Sequence, residues 1–198
     1  MKKIILSMVL ISGMLYANGS KGEINVNSDT LELEGDFYLN NTYNLSNYAN
    51  YYGIINYLSS ETNTANSTLT KRLVAVGFKI LNPFSNEYGF SLGLGLKAVI
   101  SNDRHDKTNT SFLSIPLSIY GKYDFNEVIY VNGSYSYAPK TLSLLDAKGY
   151  KDIKLAVNYR VLENGYVFIG IRDIETIYDL SVSVKYDNSL FFGYKIHF

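Results

Sequence analysis

Two histidines, His105 and His197, hold all the imidazole chemistry available to this chain. His105 stands between Asp103 and Asp106 in the polar stretch 102–110. A histidine flanked by carboxylates can join a metal centre or a surface hydrolase site. A metal needs three or four convergent ligands, and neighbours in one loop rarely converge, so His105 reads as a solvated loop residue. His197 falls on the polar face of the last alternating segment. It is either a pH-sensitive group or, more simply, a rim residue bonded to its neighbours. A hydrolase needs a nucleophile–base or carboxylate–histidine set in one place. Two histidines at opposite ends of the pattern supply none, so the chain is expected not to be an enzyme, with no catalytic residue, no cofactor and no metal. There is no cysteine, which excludes disulfides, thiolate metal sites and a lipidated N-terminal cysteine. Gly93-Leu94-Gly95 is not followed by a helix pattern and is no phosphate cradle; it suits strands packed closely in a small barrel.

The best remaining constellation is ionic. Glu32, Glu34 and Asp36 share one face of an alternating segment, and Lys79, Lys97, Lys122, Lys154, Arg160, Arg172 and Lys195 lie on the polar faces of later ones. Charges taken out of water must pair or stay hydrated. Two readings follow: a structural network that fills a narrow lumen, or a polarised pore lining that selects small solutes.

The elements that must carry these charges are strands. Alternation with a period of two dominates. Leu92, Leu94, Leu96, Ala98 and Ile100 oppose Ser91, Gly93, Gly95, Lys97 and Val99; Leu113, Ile115, Leu117, Ile119, Gly121 and Tyr123 oppose Ser114, Pro116, Ser118, Tyr120, Lys122 and Asp124. The pattern predicts ten strands, at 22–27, 30–39, 50–59, 70–81, 87–100, 111–124, 128–138, 150–162, 165–178 and 189–198. Many match the roughly 9–11 tilted residues that cross a bilayer. Connections 82–86, 125–127 and 163–164 are tight, whereas 60–69, 102–110, 139–149 and 179–188 are longer and polar, apart from the apolar Ser143 to Leu145. Short turns on the periplasmic side and long loops outside are the habit of outer-membrane barrels. The stretch 40–49 breaks the alternation, which leaves eight strands as the alternative count.

An inverted soluble barrel gives the same alternation, so other features decide. The polar face is small and mixed rather than dense in Lys and Glu. The chain has 19 Tyr and 10 Phe but no Trp, and tyrosines gather near strand ends (Tyr48, Tyr51, Tyr52, Tyr57, Tyr88, Tyr123, Tyr130, Tyr135, Tyr137, Tyr150, Tyr159, Tyr166 and Tyr178), as in aromatic girdles. The last segment alternates Leu190, Phe192, Tyr194, Ile196 and Phe198 with Phe191, Gly193, Lys195 and His197, and resembles the terminal signal read by the outer-membrane assembly machinery. Lys2 and Lys3 precede an apolar run from Ile4 to Leu15, with Ala17 as the last residue before cleavage. Removing these two lysines from 18 basic residues leaves 16 against 18 acidic ones, a mature charge of −2. Such a balance gives no electrostatic footprint for nucleic acid.

The stretch 135–172 resembles the YfaZ family of outer-membrane proteins. Tyr137-Ala138-Pro139, then Leu142, Asp146 and Tyr150, carry the resemblance, followed by the alternating strand to Tyr159 and by Tyr166-Val167-Phe168-Ile169-Gly170-Ile171-Arg172. The order of a glycine-rich strand, that motif and a terminal aromatic strand also fits, while the N-terminal third matches only in pattern. The resemblance implies an outer-membrane location and no catalytic or binding residue.

The expectation is a signal peptide at 1–17, followed at 18–198 by one all-β, antiparallel transmembrane β-barrel of about ten strands. It is expected as a monomer in the outer membrane of a Gram-negative bacterium, with lipid and the assembly machinery as partners and no nucleic acid. Its role is structural or weakly channel-forming. A small-solute pore and a periplasmic lipocalin-like binding barrel are the alternatives.

Overall fold

The computed structural model describes residues 19–40, 49–64, 67–85, 89–104, 109–179 and 182–198. Among these residues twelve strands form: β1 (Lys21–Val26), β2 (Thr30–Tyr38), β3 (Asn50–Thr64), β4 (Ser67–Ser85), β5 (Phe90–Arg104), β6 (Asn109–Ser114), β7 (Leu117–Asp124), β8 (Ile129–Ala138), β9 (Ser143–Leu145), β10 (Gly149–Leu162), β11 (Gly165–Asp179) and β12 (Val182–His197). All pairings are antiparallel. Because β6 and β7 are two pieces of one strand and β9 is a short loop strand, ten strands make the ring, and β12 closes it on β1. The expected ten strands all form, and the eight-strand count falls.

The seam is fixed by side-chain parity. Glu23 pairs with Lys195 and Asn25 with Gly193, both inward, while Ile24 pairs with Tyr194 and Val26 with Phe192, both outward. Past the last ladder pair, Phe198 N–H donates to the Ser20 carbonyl at 2.9 Å and Gly19 N–H to the Phe198 carbonyl at 2.6 Å. This end is the terminal rim; the opposite one is the hairpin rim.

The outside is apolar. Leu94 is 67% exposed and Leu117 60%, while Ser118, one residue on, is 1% exposed. Phe78, Ile119, Val157, Ile171 and Phe192 are exposed as well, and most strand charges face inward, the pair Lys151–Asp173 being on the outside. A soluble barrel has the reverse arrangement, so the chain is a transmembrane β-barrel, and a lipocalin-like barrel is set aside. No helix among the described residues is long and apolar enough to span a membrane.

Three features depart from the sequence-level expectation. The polar connections expected at 60–69, 102–110 and 179–188 are largely strand, because backbone ladders continue past the point where apolar alternation stops. The segment expected as one strand at 111–124 breaks at Ile115 and Pro116. Pro116 has no N–H to donate to a ladder, and Ile115 N–H turns instead to the Leu142 carbonyl at 2.8 Å. Beyond the break the partner changes from β8 to β9. Third, the tyrosines divide. Tyr123, Tyr135, Tyr137 and Tyr159 point outward, but Tyr52, Tyr130 and Tyr150 are buried inside. Tyr48 and Tyr88 lie outside the described residues. So do most of 40–49, whose edges Asn40 ties together through Ala49 O and Tyr51 N, each at 2.7 Å.

Candidate functional site in the barrel lumen

The lumen is layered along its axis, and strand parity builds each layer. In the middle, β1 and β2 present Glu23, Glu32, Glu34 and Asp36, an acidic wall. Lys79 of β4, Lys97 of β5, Lys154 of β10, Arg172 of β11 and Lys195 of β12 face it. Lys154 Nζ reaches Glu23 at 2.5 Å, Glu34 at 3.1 Å and Glu32 at 3.4 Å. Lys195 holds the other Glu23 oxygen at 3.0 Å. Arg172 bonds Glu32 through Nη1 and Asp187 through Nε at 2.8 Å and Nη2 at 2.5 Å. Lys79 pairs with Asp36 at 2.6 Å and Lys97 with Asp152 at 3.4 Å. Near-complete pairing is what burial of so many charges demands.

The carboxylates of Glu23, Glu32 and Glu34 lie within 4.8 Å of one another, close enough to share a cation. The Lys154 ammonium already fills that role. A metal ion would have to displace it.

Toward the hairpin rim the lumen turns apolar. Leu58, Leu73, Val99, Phe112, Tyr150, Ile174 and Tyr186 pack into one buried cluster, with Leu142 and Tyr178 against it. The Phe112 ring meets Tyr150, Tyr178 and Tyr186 at centroid distances of 6.0, 6.3 and 6.1 Å. A bulge makes this possible: Ile174 pairs with Asp187 but Glu175 pairs with Lys185. The extra residue, Tyr186, therefore points inward beside inward Asp187, re-aiming a side chain as bulges do. One goes to the plug, the other to Arg172.

Toward the terminal rim, and reaching down to the acidic wall, the lumen keeps a cavity of about 100 Å³ lined by Lys21, Lys79, Lys97, Lys122, Tyr120 and His197 and also by the carboxylates of Glu23, Glu32, Glu34, Asp36 and Asp152. Tyrosine rings stand between its lysines. Lys21 and Lys79 lie over Tyr52 at 5.2 and 5.6 Å, and Lys79 and Lys97 over Tyr120 at 5.2 and 5.9 Å. Ring faces attract each ammonium and separate like charges. Gly95 permits this, because a Cβ there would meet the Tyr120 ring at 2.9 Å and the Phe78 carbonyl at 2.7 Å.

The sequence placed nearly all of these groups. Glu32, Glu34, Lys154, Arg172 and Lys195 converge in one network, whereas Arg160 stays apart at the rim, its nearest acceptor the Glu127 carbonyl at 3.5 Å. Lys122 pairs locally with Asp124 at 2.7 Å. His197 stacks on Tyr166 at 4.9 Å, a rim contact; His105 lies outside the described residues. Sequence reasoning missed Lys21, Glu23, Asp152 and Asp187. The first three were reachable by extending the alternation of their own strands. Asp187 was reachable in the same way, since it shares the inward parity of Phe191 and Lys195; the bulge reverses parity only before it, at Tyr186 and Val184.

No protein-family model matches the chain, and no curated protein matches it. Among solved structures, it is similar to the NanC porin, at 8% identity over 92% of this chain and 100% of that one, with a TM-score of 0.48. It is also similar to OmpT of Vibrio cholerae in two structures. The outer-membrane expressed form gives 11% identity over 85% of this chain, TM-score 0.41, and the in-vitro folded form 9% over 90%, TM-score 0.39. The chain spans 56% and 64% of those two chains.

Proposed function

We infer that this chain is an integral outer-membrane barrel of a Gram-negative bacterium, exported by its N-terminal signal and closed in its resting state. Its role is structural or weakly channel-forming. The apolar plug carries this reading. A lumen whose charges are nearly all paired and whose hairpin end is filled by Phe112, Tyr150 and Tyr186 offers solutes no continuous wet path, and a pore would require the plug to move. The alternating strand that ends at Phe198 is the segment offered to the assembly machinery.

Kinship with the YfaZ family belongs to the same proposal, and the resembling residues have a shared use. Ala138, Leu142 and Tyr150 build or flank the plug. Asp146 accepts the Ser111 N–H at 3.2 Å and so holds β6 to the β9 loop. Arg172 anchors the network below. Refolded mature protein in planar bilayers is expected to show no steady conductance, only rare small steps. Large, continuously open steps would overturn the closed reading, and recovery of the mature protein from the soluble periplasm would overturn the location.

A further inference from the structure

The terminal-rim cavity contains three polar groups that the network does not satisfy. The ammonium of Lys21 has no carboxylate within 4 Å among the described residues and rests on the Tyr52 ring instead. The Tyr120 hydroxyl is buried and unpartnered, and so is His197 Nε2. All three line one cavity, and His197 pairs with Lys21 across the seam. The neighbouring cations are engaged: Lys79 by Asp36, Lys97 by Asp152, Lys122 by Asp124 and Lys195 by Glu23. One Asp36 oxygen has no partner and opposes an anion, but Lys79 holds the other at 2.6 Å. The balance around Lys21 is therefore cationic, with a hydroxyl donor aimed inward.

We propose that this half of the lumen is a blind receptor for a small oxyanion, seated on the Lys21 ammonium with the Tyr120 hydroxyl donating to it and the His197 ring closing the rim side. Neither water nor chloride answers all three groups as well: water brings no countercharge, and chloride lacks separate oxygens for donors on different strands. A volume of about 100 Å³ has room for an ion of phosphate size. Access is from the terminal rim, where a second, wider cavity shares Lys122, Tyr130 and His197 with the first. The plug shuts the other side. The receptor is independent of whether the barrel ever conducts.

The test is calorimetric titration of the refolded full-length mature protein with inorganic phosphate, in low-salt buffer free of other oxyanions, with chloride as the comparison. One saturable phosphate site is expected, weakened about tenfold or more by Lys21→Met and by Tyr120→Phe, because each removes a bond to a charged group. Lys151→Met, on an outer pair with Asp173, should bind as wild type does. A measurement on wild type alone covers the case of variants that do not fold: phosphate should slow acylation of Lys21, read by mass spectrometry, and leave Lys151 unaffected. Absence of saturable binding, equal binding by the Lys21 and Tyr120 variants, equal affinity for chloride, or no protection of Lys21 would each overturn the proposal.

Discussion

Among the described residues, Arg172→Met removes the only cation bound to Asp187 and one of two bound to Glu32. The three side chains are 1%, 4% and 4% exposed, so nothing from solvent replaces the guanidinium. Breaking a buried pair by deleting one partner costs about 3–5 kcal/mol, because the remaining charge is stranded. Here each carboxylate keeps other bonds. Glu32 retains Asn56 at 2.5 Å and Lys154 at 3.4 Å, and Asp187 retains Ser189 at 2.5 Å and Asn27 at 3.1 Å. The expected loss is therefore near the lower end, about 3 kcal/mol. Asp187→Asn alone should cost less, since the amide oxygen still accepts from Arg172. In the double variant the stranded charge at position 187 is gone, so its cost should fall below the sum of the two by about 1 kcal/mol or more. Reversible urea unfolding of the four proteins in one lipid system measures the cycle. Additive costs, or an Arg172→Met penalty under about 1 kcal/mol, would refute the claim that the network is desolvated and holds the seam strands together.

Leu117→Arg, on the lipid face, should cost about 2–4 kcal/mol near mid-bilayer. Ser118→Ala, which loses only the 2.8 Å bond to Ser136, should cost about 1 kcal/mol; urea unfolding with the order reversed would mean that inside and outside are swapped. Deleting Phe198 should impair assembly in cells more than refolding in detergent, since its backbone adds only two bonds at the seam; equal assembly with and without it would remove its role as a signal. A cysteine at Thr141 should be labelled from outside intact cells and one at Asn126 should not, and the opposite result would invert the topology.

How far the sequence could be read follows from what alternation encodes. Parity gave the faces of β5, β7, β10 and β12, so Leu117 and Ser118 could be assigned before any coordinates. It gave strand ends poorly, because the β3–β4 hairpin keeps its backbone ladder where side chains have become largely polar on both faces, and the β11–β12 hairpin keeps its own past a bulge that reverses the alternation. It also assigned Tyr52, Tyr130 and Tyr150 to the interface, although Tyr52 and Tyr130 stand between lysines and Tyr150 fills the plug. A ring with a polar tip suits either place, and only its position relative to the pleat decides. The plug residue Tyr186 was hidden for a different reason. It sits in a bulge, and a one-residue slip changes the face of everything beyond it.

The closed lumen is tested most directly by comparing single-channel recordings of the wild-type barrel with those of Phe112→Ala combined with Tyr186→Ala, both first shown to be folded by their slower migration on boiling before electrophoresis. These two rings are 0% and 2% exposed and meet edge to face in the plug. With them removed, the paired charges beneath should connect to the hairpin rim, and steady current steps should appear where the wild type gives none. Wild-type barrels that conduct steadily, or a double variant that folds and stays as silent as the wild type, would contradict the account.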